Sequence, residues 1–494
     1  MDRLCYETLE KQGYGGYLLK TAPERVLQFG EGNFLRAFTD HFIDVMNEKA
    51  GFNGKVVVVT PRGTGKHWNV INSQEGLYTL LLRGQDKGRR VDDMRIISCI
   101  SRCINPCEDN DGFLKCAANP DLRFIVSNTT EAGIVYDPQC KMTDEPASSF
   151  PGKLTRFLYE RFKAGLPGFI ILSCELIDRN GDELLNCVEK YSQQWELPEE
   201  FKQWIRKENT FCSTLVDRIV PGFPKEEADS LWEKLGYQDD LLDAGEVFAS
   251  WVIEGPDTVL DEFPADKAGL PVILTDNVDP YKKRKVRILN GAHTSMVPAA
   301  FLTGMDIVRD CMGDDCIRGY MKTALYDETI PVLDGLDREE LEEFTQAVFD
   351  RFANPFIDHE LLSIALNSTA KWKARVMPTV LEYYEQKGEL PKVLTFSFAA
   401  YLSFYHRGRV LEQGALKGER EGREFLIKDD EWVLEEFLRL RDLEDAELVQ
   451  AITDNEKMWG DSLKKLPGFK ETVTDDLKLI KDMGMYEAMR KIQG

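Results

Sequence analysis

Lys285, Asn290 and His293 stand within nine residues of one another, in Lys285-Val286-Arg287-Ile288-Leu289-Asn290-Gly291-Ala292-His293. Read as a helix, Lys285, Leu289 and His293 fall at i, i+4 and i+8 and stack along one side. Asn290 lies three residues before His293, so one face presents an amine, a carboxamide and an imidazole. Reduction of a carbonyl by hydride needs this set: a hydrogen-bond donor for the developing alkoxide, and a proton delivered as charge accumulates. An unperturbed ammonium, with a pKa of ~10.4, is a poor base at neutrality. Desolvation or neighbouring cations lower that value, and Lys282, Lys283 and Arg284 adjoin Lys285 in sequence. The plain alternative is a polar helix face without chemistry, and spacing alone leans that way. The chemical reading also requires a hydride carrier.

A place for one lies near the N-terminus. Residues 25–29 read as a strand running into Gly30-Glu31-Gly32-Asn33-Phe34-Leu35-Arg36, after an N-terminal arm or short helix over 1–22. Residues 37–47 follow as an amphipathic helix, apolar at Ala37, Phe38, Phe42, Val45 and Met46. Strand, glycine turn and helix in this order is the setting in which a GxG turn binds a dinucleotide. The glycines admit the pyrophosphate, and the helix start offers free N–H groups. Leu35 replaces the third glycine of GxGxxG, and an ordinary strand–helix turn fits the local pattern equally well. Residues 55–60 form the expected second parallel strand. It ends in Thr60-Pro61-Arg62, where an acid would contact the ribose of NAD, and Arg62 leaves a phosphorylated cofactor open. Gly63-Thr64-Gly65-Lys66-His67 lacks the spacing and the hydroxyl of a P-loop.

Further strands are expected at 77–82 and 94–100, as a hairpin insertion, and at 122–127 and 168–174. The loop after 127, Asn128-Thr129-Thr130-Glu131-Ala132-Gly133, would then lie at the sheet mouth where ligands bind; a plain turn closed by Gly133 is the alternative. A helix is expected over 153–162. From about 181 to 245 the pattern is mostly helical, with Phe211 to Arg218 in its middle. Asp217 there is either a site carboxylate or the surface partner of Arg218, and spacing favours the second. Strands at 248–253 and 271–274 close the first part. Beyond Asp279-Pro280 the pattern changes to amphipathic helices, one ending at Arg351-Phe352-Ala353-Asn354-Pro355, with few β-branched runs. Lys371, Lys373 and Arg375 form a basic cluster in this acidic half, usually the mark of a solvated helix face. The expected fold is α/β: a Rossmann-like doubly wound sheet domain with insertions over 1–279, then a mainly α-helical substrate domain over 280–494.

Composition narrows the function. The chain of 494 residues is 43% hydrophobic and 30% charged, an ordinary globular balance for two or three domains. A net charge of −23 argues against nucleic acid or an anionic membrane as partner, and means that an anionic substrate must meet a local cluster of Lys and Arg. No apolar run approaches the length of a membrane span and the N-terminus lacks an apolar leader, so a cytoplasmic protein with reduced thiols is expected. Cys99, Cys103, Cys107 and Cys116 lack the paired spacing of zinc sites, and the five histidines are scattered, so no metal is expected.

Together these stretches resemble the mannitol dehydrogenase family of polyol-specific long-chain dehydrogenases. The turn from Phe29 to Arg36 is similar to the family's nucleotide turn, in which the third glycine is absent and an arginine follows. Lys285-x4-Asn290-x2-His293 matches its active-site signature in order and spacing. The likeness runs from about residue 23 to residue 380. QFGEGNFLRAF from Gln28, SNTTEAGI from Ser127, CELIDRNG from Cys174, FCSTLVDRIV from Phe211, ILNGAHT from Ile288 and LLSIALN from Leu361 are most similar to members acting on sugar acids. The resemblance implies metal-independent, NAD-dependent interconversion of D-altronate and D-tagaturonate in hexuronate catabolism. NAD would be held by Phe29, Gly30, Glu31, Gly32, Asn33, Phe34, Leu35, Arg36, Thr130 and Glu131. Lys285 would be acid in reduction and base in oxidation, Asn290 would polarise the carbonyl and His293 would bind an adjacent hydroxyl, with Asp217 and Lys371 also at the substrate. Two positions depart from the polyol pattern: Leu176 replaces a second oxyanion-hole asparagine, and Ser363 an arginine. Fructuronate, mannitol or another sugar acid or polyol remain alternative substrates. A nucleotide-sensing protein without turnover is the alternative from another class, and the intact Lys-Asn-His set argues against it.

Overall fold

The computed structural model describes residues 1–61, 63, 67–130, 132–406, 408 and 410–494, apart from the side chain of His67. The chain forms two compact units, one of residues 1–83 and 90–278, the other of residues 84–89 and 279–494.

The first unit carries strands β1 (Glu24–Phe29), β2 (Lys55–Val59), β3 (Tyr78–Asp86), β4 (Arg89–Ile97), β5 (Ile100–Ile104), β6 (Phe124–Ser127), β7 (Ile170–Ser173), β8 (Thr210–Asp217), β9 (Asp243–Glu246), β10 (Ser250–Glu254) and β11 (Val272–Thr275). Eight of them form one sheet in the order β11-β10-β8-β7-β6-β1-β2-β5. From β5 to β8 all neighbours are parallel, and β10 runs antiparallel to β8. The run of valines in β2 shows why the sheet is covered twice. Successive side chains point to opposite faces, so Val56 and Val58 join one core with Phe38, Phe42 and Trp251, while Val57 and Val59 join another with Phe29, Phe113 and Phe157. Strand order reverses at β1, which lies between β2 and β6, so a crevice opens at their carboxyl ends. This is the doubly wound sheet that the strand-and-helix alternation predicts.

Details differ from the sequence reading. The single strand expected over 94–100 is two, β4 and β5. Asp44 captures the backbone N–H and hydroxyl of Ser98 between them, at 2.8 and 3.1 Å, and ends the first ladder. The hairpin strands β3 and β4 form a separate sheet with β9. Residues 211–218, set in a helical stretch by pattern, belong largely to β8.

The second unit is built around helix Gly291–Leu302, of which residues 291–301 are all buried. A helix enclosed on every side carries no amphipathic stripe, unlike the surface helices around it. Sequence reading missed β12 (Val410–Glu412), β13 (Ala415–Arg420) and β14 (Arg423–Ile427), an antiparallel meander in this helical half. Its strands are rich in charge rather than in β-branched residues. Two turns with positive φ at Gln413-Gly414 and Glu421-Gly422 set the register, and Lys417 bridges Glu412 at 2.6 Å and Glu424 at 3.8 Å. Among the described residues no helix is long and apolar enough to cross a membrane.

Trp251 is the keystone of the first core, with ring centroids 5.2 Å from Phe38, 5.7 Å from Phe42 and 5.5 Å from Phe263. Trp251→Ala should cost about 3–5 kcal/mol, read as a lowered urea midpoint of the first unit's transition; an unchanged midpoint would refute this view of the core.

Candidate functional site

The glycine turn joins β1 to a continuous helix of three segments, Asn33–Leu35, a π-helical turn Arg36–Asp40, and His41–Ala50. Gly30 has φ +130°, and a Cβ there would meet Leu35 Cδ1 at 2.8 Å and the Asn128 carbonyl at 3.2 Å. Leu35, standing where a third glycine is usual, thus packs against the first. Gly32 precedes the helix with φ −71°, and a Cβ there would meet nothing within 4 Å. The helix start has no side-chain cap, so its leading N–H groups and positive dipole end are left for a ligand. This open cradle fits the pyrophosphate of a dinucleotide.

The rest of the expected cofactor set divides. Phe29 is core, packed on Phe113 and Phe150, and Phe34 stacks on Phe38 at 5.1 Å. Arg36 is buried: it donates to the Leu241 carbonyl and, at 2.6 Å, to Asn33 Oδ1, lies 3.7 Å from Asp243, and covers the Tyr78 ring. It holds the turn from below. Gln28 does so too, its amide donating to the Gly30 carbonyl at 3.2 Å and to Asp40 at 3.3 Å. Burial pushes the carboxyls of Asp40 and Asp243 up to about 7. Glu31 is half-buried at the turn. Thr60, at the end of β2, turns its hydroxyl toward Asn105 at 3.3 Å. Arg62, Glu131 and the Thr64–Lys66 part of the dismissed P-loop lie outside the described residues.

A cavity of about 200 Å³ opens beyond the carboxyl ends of β2 and β6, lined in part by Pro61, Thr129, Gly133, Val135, Ser149 and Phe150. Glu175, which sequence reasoning did not single out, anchors its rim. Its buried carboxyl accepts from Ser127 Oγ at 3.1 Å and from Thr129 N and Oγ1 at 3.0 Å each. Burial nevertheless raises its pKa. Thr130 follows with φ +77°, an unusual conformation for a β-branched residue and a mark of functional loops. Leu176, where the polyol pattern has asparagine, is 62% exposed beyond β7.

Asp217 ends β8 and is buried, as is Arg218, which donates to the Ala37 carbonyl at 2.6 Å and the Phe248 carbonyl at 3.1 Å. The surface-pair reading therefore fails: Arg218 ties the end of β8 to the helix behind the glycine turn. The cysteines are all unpaired thiols, and those considered as zinc ligands act separately, Cys99 donating to the Asp40 carbonyl and Cys116 to that of Gly112. Among the described residues no group of three His, Cys, Asp or Glu is arranged to hold a metal.

In the second unit, Lys285–Asn290 is a π-helical turn rather than the α-helix expected, closed by a bond from the Gly291 N–H to the Val286 carbonyl. The difference matters for geometry. Five α-helical steps would set Lys285 and Asn290 about 140° apart, whereas the wider turn returns Asn290 toward the side of Lys285. Helix Gly291–Leu302 then carries His293 one turn further. The cations upstream are drawn to glutamates: Lys283 to Glu382 at 3.3 Å and Arg284 to Glu340 at 2.7 Å.

His293 is 9% exposed, stacked on Phe352 with centroids 4.0 Å apart and edge-on to His359 at 5.3 Å. Its Nε2 has no hydrogen-bond partner among the described residues. Burial, aided by His359, Arg351, Arg375 and Lys371, holds its pKa well below the ordinary histidine range. The ring is neutral at physiological pH, with one nitrogen to offer a hydroxyl. Lys371, placed at the substrate by the resemblance, and Arg375, read from sequence as part of a solvated face, are both half-buried: Lys371 Nζ donates to the Ile364 carbonyl at 2.7 Å, and Arg375 Nη1 to Thr294 Oγ1 at 3.4 Å. Sequence reasoning missed Arg375, Arg351 and His359 as members of this cluster. The i, i+4 spacing of Lys371 and Arg375 was the available signal.

Residues 24–267 match the mannitol dehydrogenase Rossmann domain, and residues 277–481 the mannitol dehydrogenase C-terminal domain. The altronate oxidoreductase of Shigella flexneri is 46% identical over 497 aligned positions, covering 98% of this chain and 100% of that protein. That of Escherichia coli O139:H28 agrees to the same extent. A D-sorbitol dehydrogenase in substrate-free form superposes with a TM-score of 0.81 at 24% identity, over 99% of this chain and 100% of the other. Pseudomonas fluorescens mannitol 2-dehydrogenase, solved with NAD and D-mannitol, gives 0.68 at 21%, over 99% of each. These two establish the shared fold.

The two glycines of the turn should separate when mutated. Gly32→Ala should fold as well as the parent, since its Cβ meets open space, yet weaken dinucleotide binding by about tenfold or more, roughly 1.4 kcal/mol. Gly30→Ala should weaken binding and also cost about 1–3 kcal/mol of stability, through its φ and the Leu35 contact. Fluorescence titration and thermal denaturation measure both; undiminished affinity in Gly32→Ala would remove the cradle.

Proposed function

The chain belongs to the mannitol dehydrogenase family, and on that premise we propose that it interconverts D-altronate and D-tagaturonate with NAD as hydride acceptor and NADH as donor. As a member it is an oxidoreductase acting on CH–OH groups. The observation that supports the mechanism is the π-helical turn over Lys285–Asn290, whose wider pitch brings residues five apart toward one side, followed by the buried His293 with its lowered pKa.

In reduction, the Lys285 ammonium gives its proton to the carbonyl oxygen as negative charge accumulates there, and in oxidation the amine takes it back. Asn290 donates its carboxamide N–H to the same oxygen and stabilises the developing alkoxide. His293 binds the neighbouring hydroxyl through its unpartnered nitrogen. Since the ring is already neutral, no proton must leave it before substrate binds. The backbone at Gly30, Gly32 and Asn33 would hold the dinucleotide pyrophosphate, with Thr130 on the loop after β6. When bound, the nicotinamide supplies or accepts the hydride. The proton is assigned to an amine, and the scheme uses no metal.

Steady-state assays of the purified protein with D-tagaturonate, using NADH and NADPH separately, test the activity. The expected outcome is turnover with a higher kcat/KM for NADH; no turnover, or a clear advantage for NADPH, would overturn the corresponding part of the proposal.

Lys285→Ala should lower kcat for ketone reduction by about 10²–10⁴-fold. NADH affinity should stay near the parent value, because the glycine turn lies in the other unit. Were Lys285 only a solvated helix residue, the change would cost less than about 0.5 kcal/mol of stability and leave kcat nearly intact. A kcat within a few-fold of the parent would remove Lys285 from the mechanism.

A further inference from the structure

The second unit gathers positive charge beside His293, with Asp429 as the acid that acts on Lys371. Lys371 and Arg375 lie one helical turn apart on Ser368–Arg375, whose end is pressed against the central helix. A Cβ on Gly291 would stand 3.3 Å from the Arg375 carbonyl, so the close approach of the two helices fixes where the Arg375 side chain begins. From there its guanidinium reaches Thr294, the residue after His293. Among the described residues no carboxylate pairs with Arg375 or Lys371. Asp429 acts on Lys371 while accepting from Thr369 N at 3.1 Å, from the Tyr405 hydroxyl and from Asp430 N, and Glu360 accepts from Ser363 Oγ at 3.2 Å; neither forms an ion pair with Arg375.

Most other arginines in this acidic chain have found a carboxylate or a set of carbonyls. A half-buried guanidinium with one 3.4 Å hydroxyl contact, next to a half-buried ammonium, is an arrangement that calls for an anion. The guanidinium fork matches a carboxylate in a plane, and the ammonium adds a point charge.

We propose that Arg375, with Lys371, binds the terminal carboxylate of the substrate and is the residue that selects a sugar acid over an uncharged ketose or alditol. Ser363 is too short to perform that task, and its hydroxyl is held by Glu360. The carboxylate end of the sugar would then lie toward Thr294 and Arg375, with the adjacent hydroxyls toward His293. This assignment rests on the reading of the site as a ketone reductase, and deepens it.

The test compares two substrates on two variants of the full chain: D-tagaturonate, and the uncharged ketose in which a hydroxymethyl group replaces its carboxylate. Arg375→Met keeps the length of the side chain and removes its charge. It should raise KM for tagaturonate by about 10- to 100-fold, the scale of a lost charge-assisted hydrogen-bond pair, and leave kcat/KM for the uncharged ketose unchanged or higher. Arg375→Lys should recover part of the loss. Equal losses on both substrates, or no loss on the acid, would overturn the proposal. Calorimetric binding of D-altronate and of the corresponding alditol to the unmutated protein with NADH needs neither turnover nor a folded variant. Preference for the acid supports the anion site even if no reduction is seen, a result that would sink the reductase reading alone. Equal affinity for the two overturns the anion site.

Discussion

A buried imidazole that must remain neutral governs the second unit. His293 sits on a helix enclosed on every side, where a charge would lose its hydration and gain no acid in return. Besides the stacked Phe352 ring, the groups gathered round it are a second histidine and three cations, and these disfavour protonation. The same cations concentrate positive charge there in a chain of net charge −23. On the assignment of Arg375 to the substrate carboxylate, neutrality of the ring and affinity for anions are two results of one charge distribution. A neutral polyol needs only the first.

The first unit solves a different problem, that of presenting backbone rather than side chains. Its parallel sheet is buried on both faces, so the polar groups at the carboxyl ends of the strands need internal partners wherever they are not meant for a ligand. Glu175 occupies the hydroxyl and amide of Thr129, Gln28 occupies the Gly30 carbonyl, and Arg218 occupies the carbonyls of Ala37 and Phe248. The helix start at Asn33 lacks such a cap and stands out by contrast.

Where the pattern had a strong period, the sequence was legible. The β-branched run of β2, the glycine turn after β1 and the change to helices beyond residue 279 all show in residue types alone. The Lys285–His293 helix was legible as a helix, but not as a π-helical turn, because one additional residue per turn leaves no compositional trace. The meander from β12 to β14 was hidden because charge pairs and glycine turns stabilise it, and neither looks like strand propensity. Lys371 and Arg375 carried the right spacing, yet a basic pair on a helix reads as solvated until its neighbours are known. Glu175 was invisible for the opposite reason: a single acid after a strand has no pattern at all.

The contact between Leu35 and Gly30 makes the two positions a single unit of descent. In the three-glycine turn the third glycine leaves room, and the first can be replaced when φ allows; here a leucine has taken the room and the first position pays with its freedom. Residue 30 is held to glycine independently by its φ of +130° and by the Asn128 carbonyl 3.2 Å from a Cβ there, so a smaller residue at 35 relieves only one of three constraints. Searches that score the three glycines independently will rank such a chain as a degraded nucleotide binder, although it is an alternative packing of the same turn.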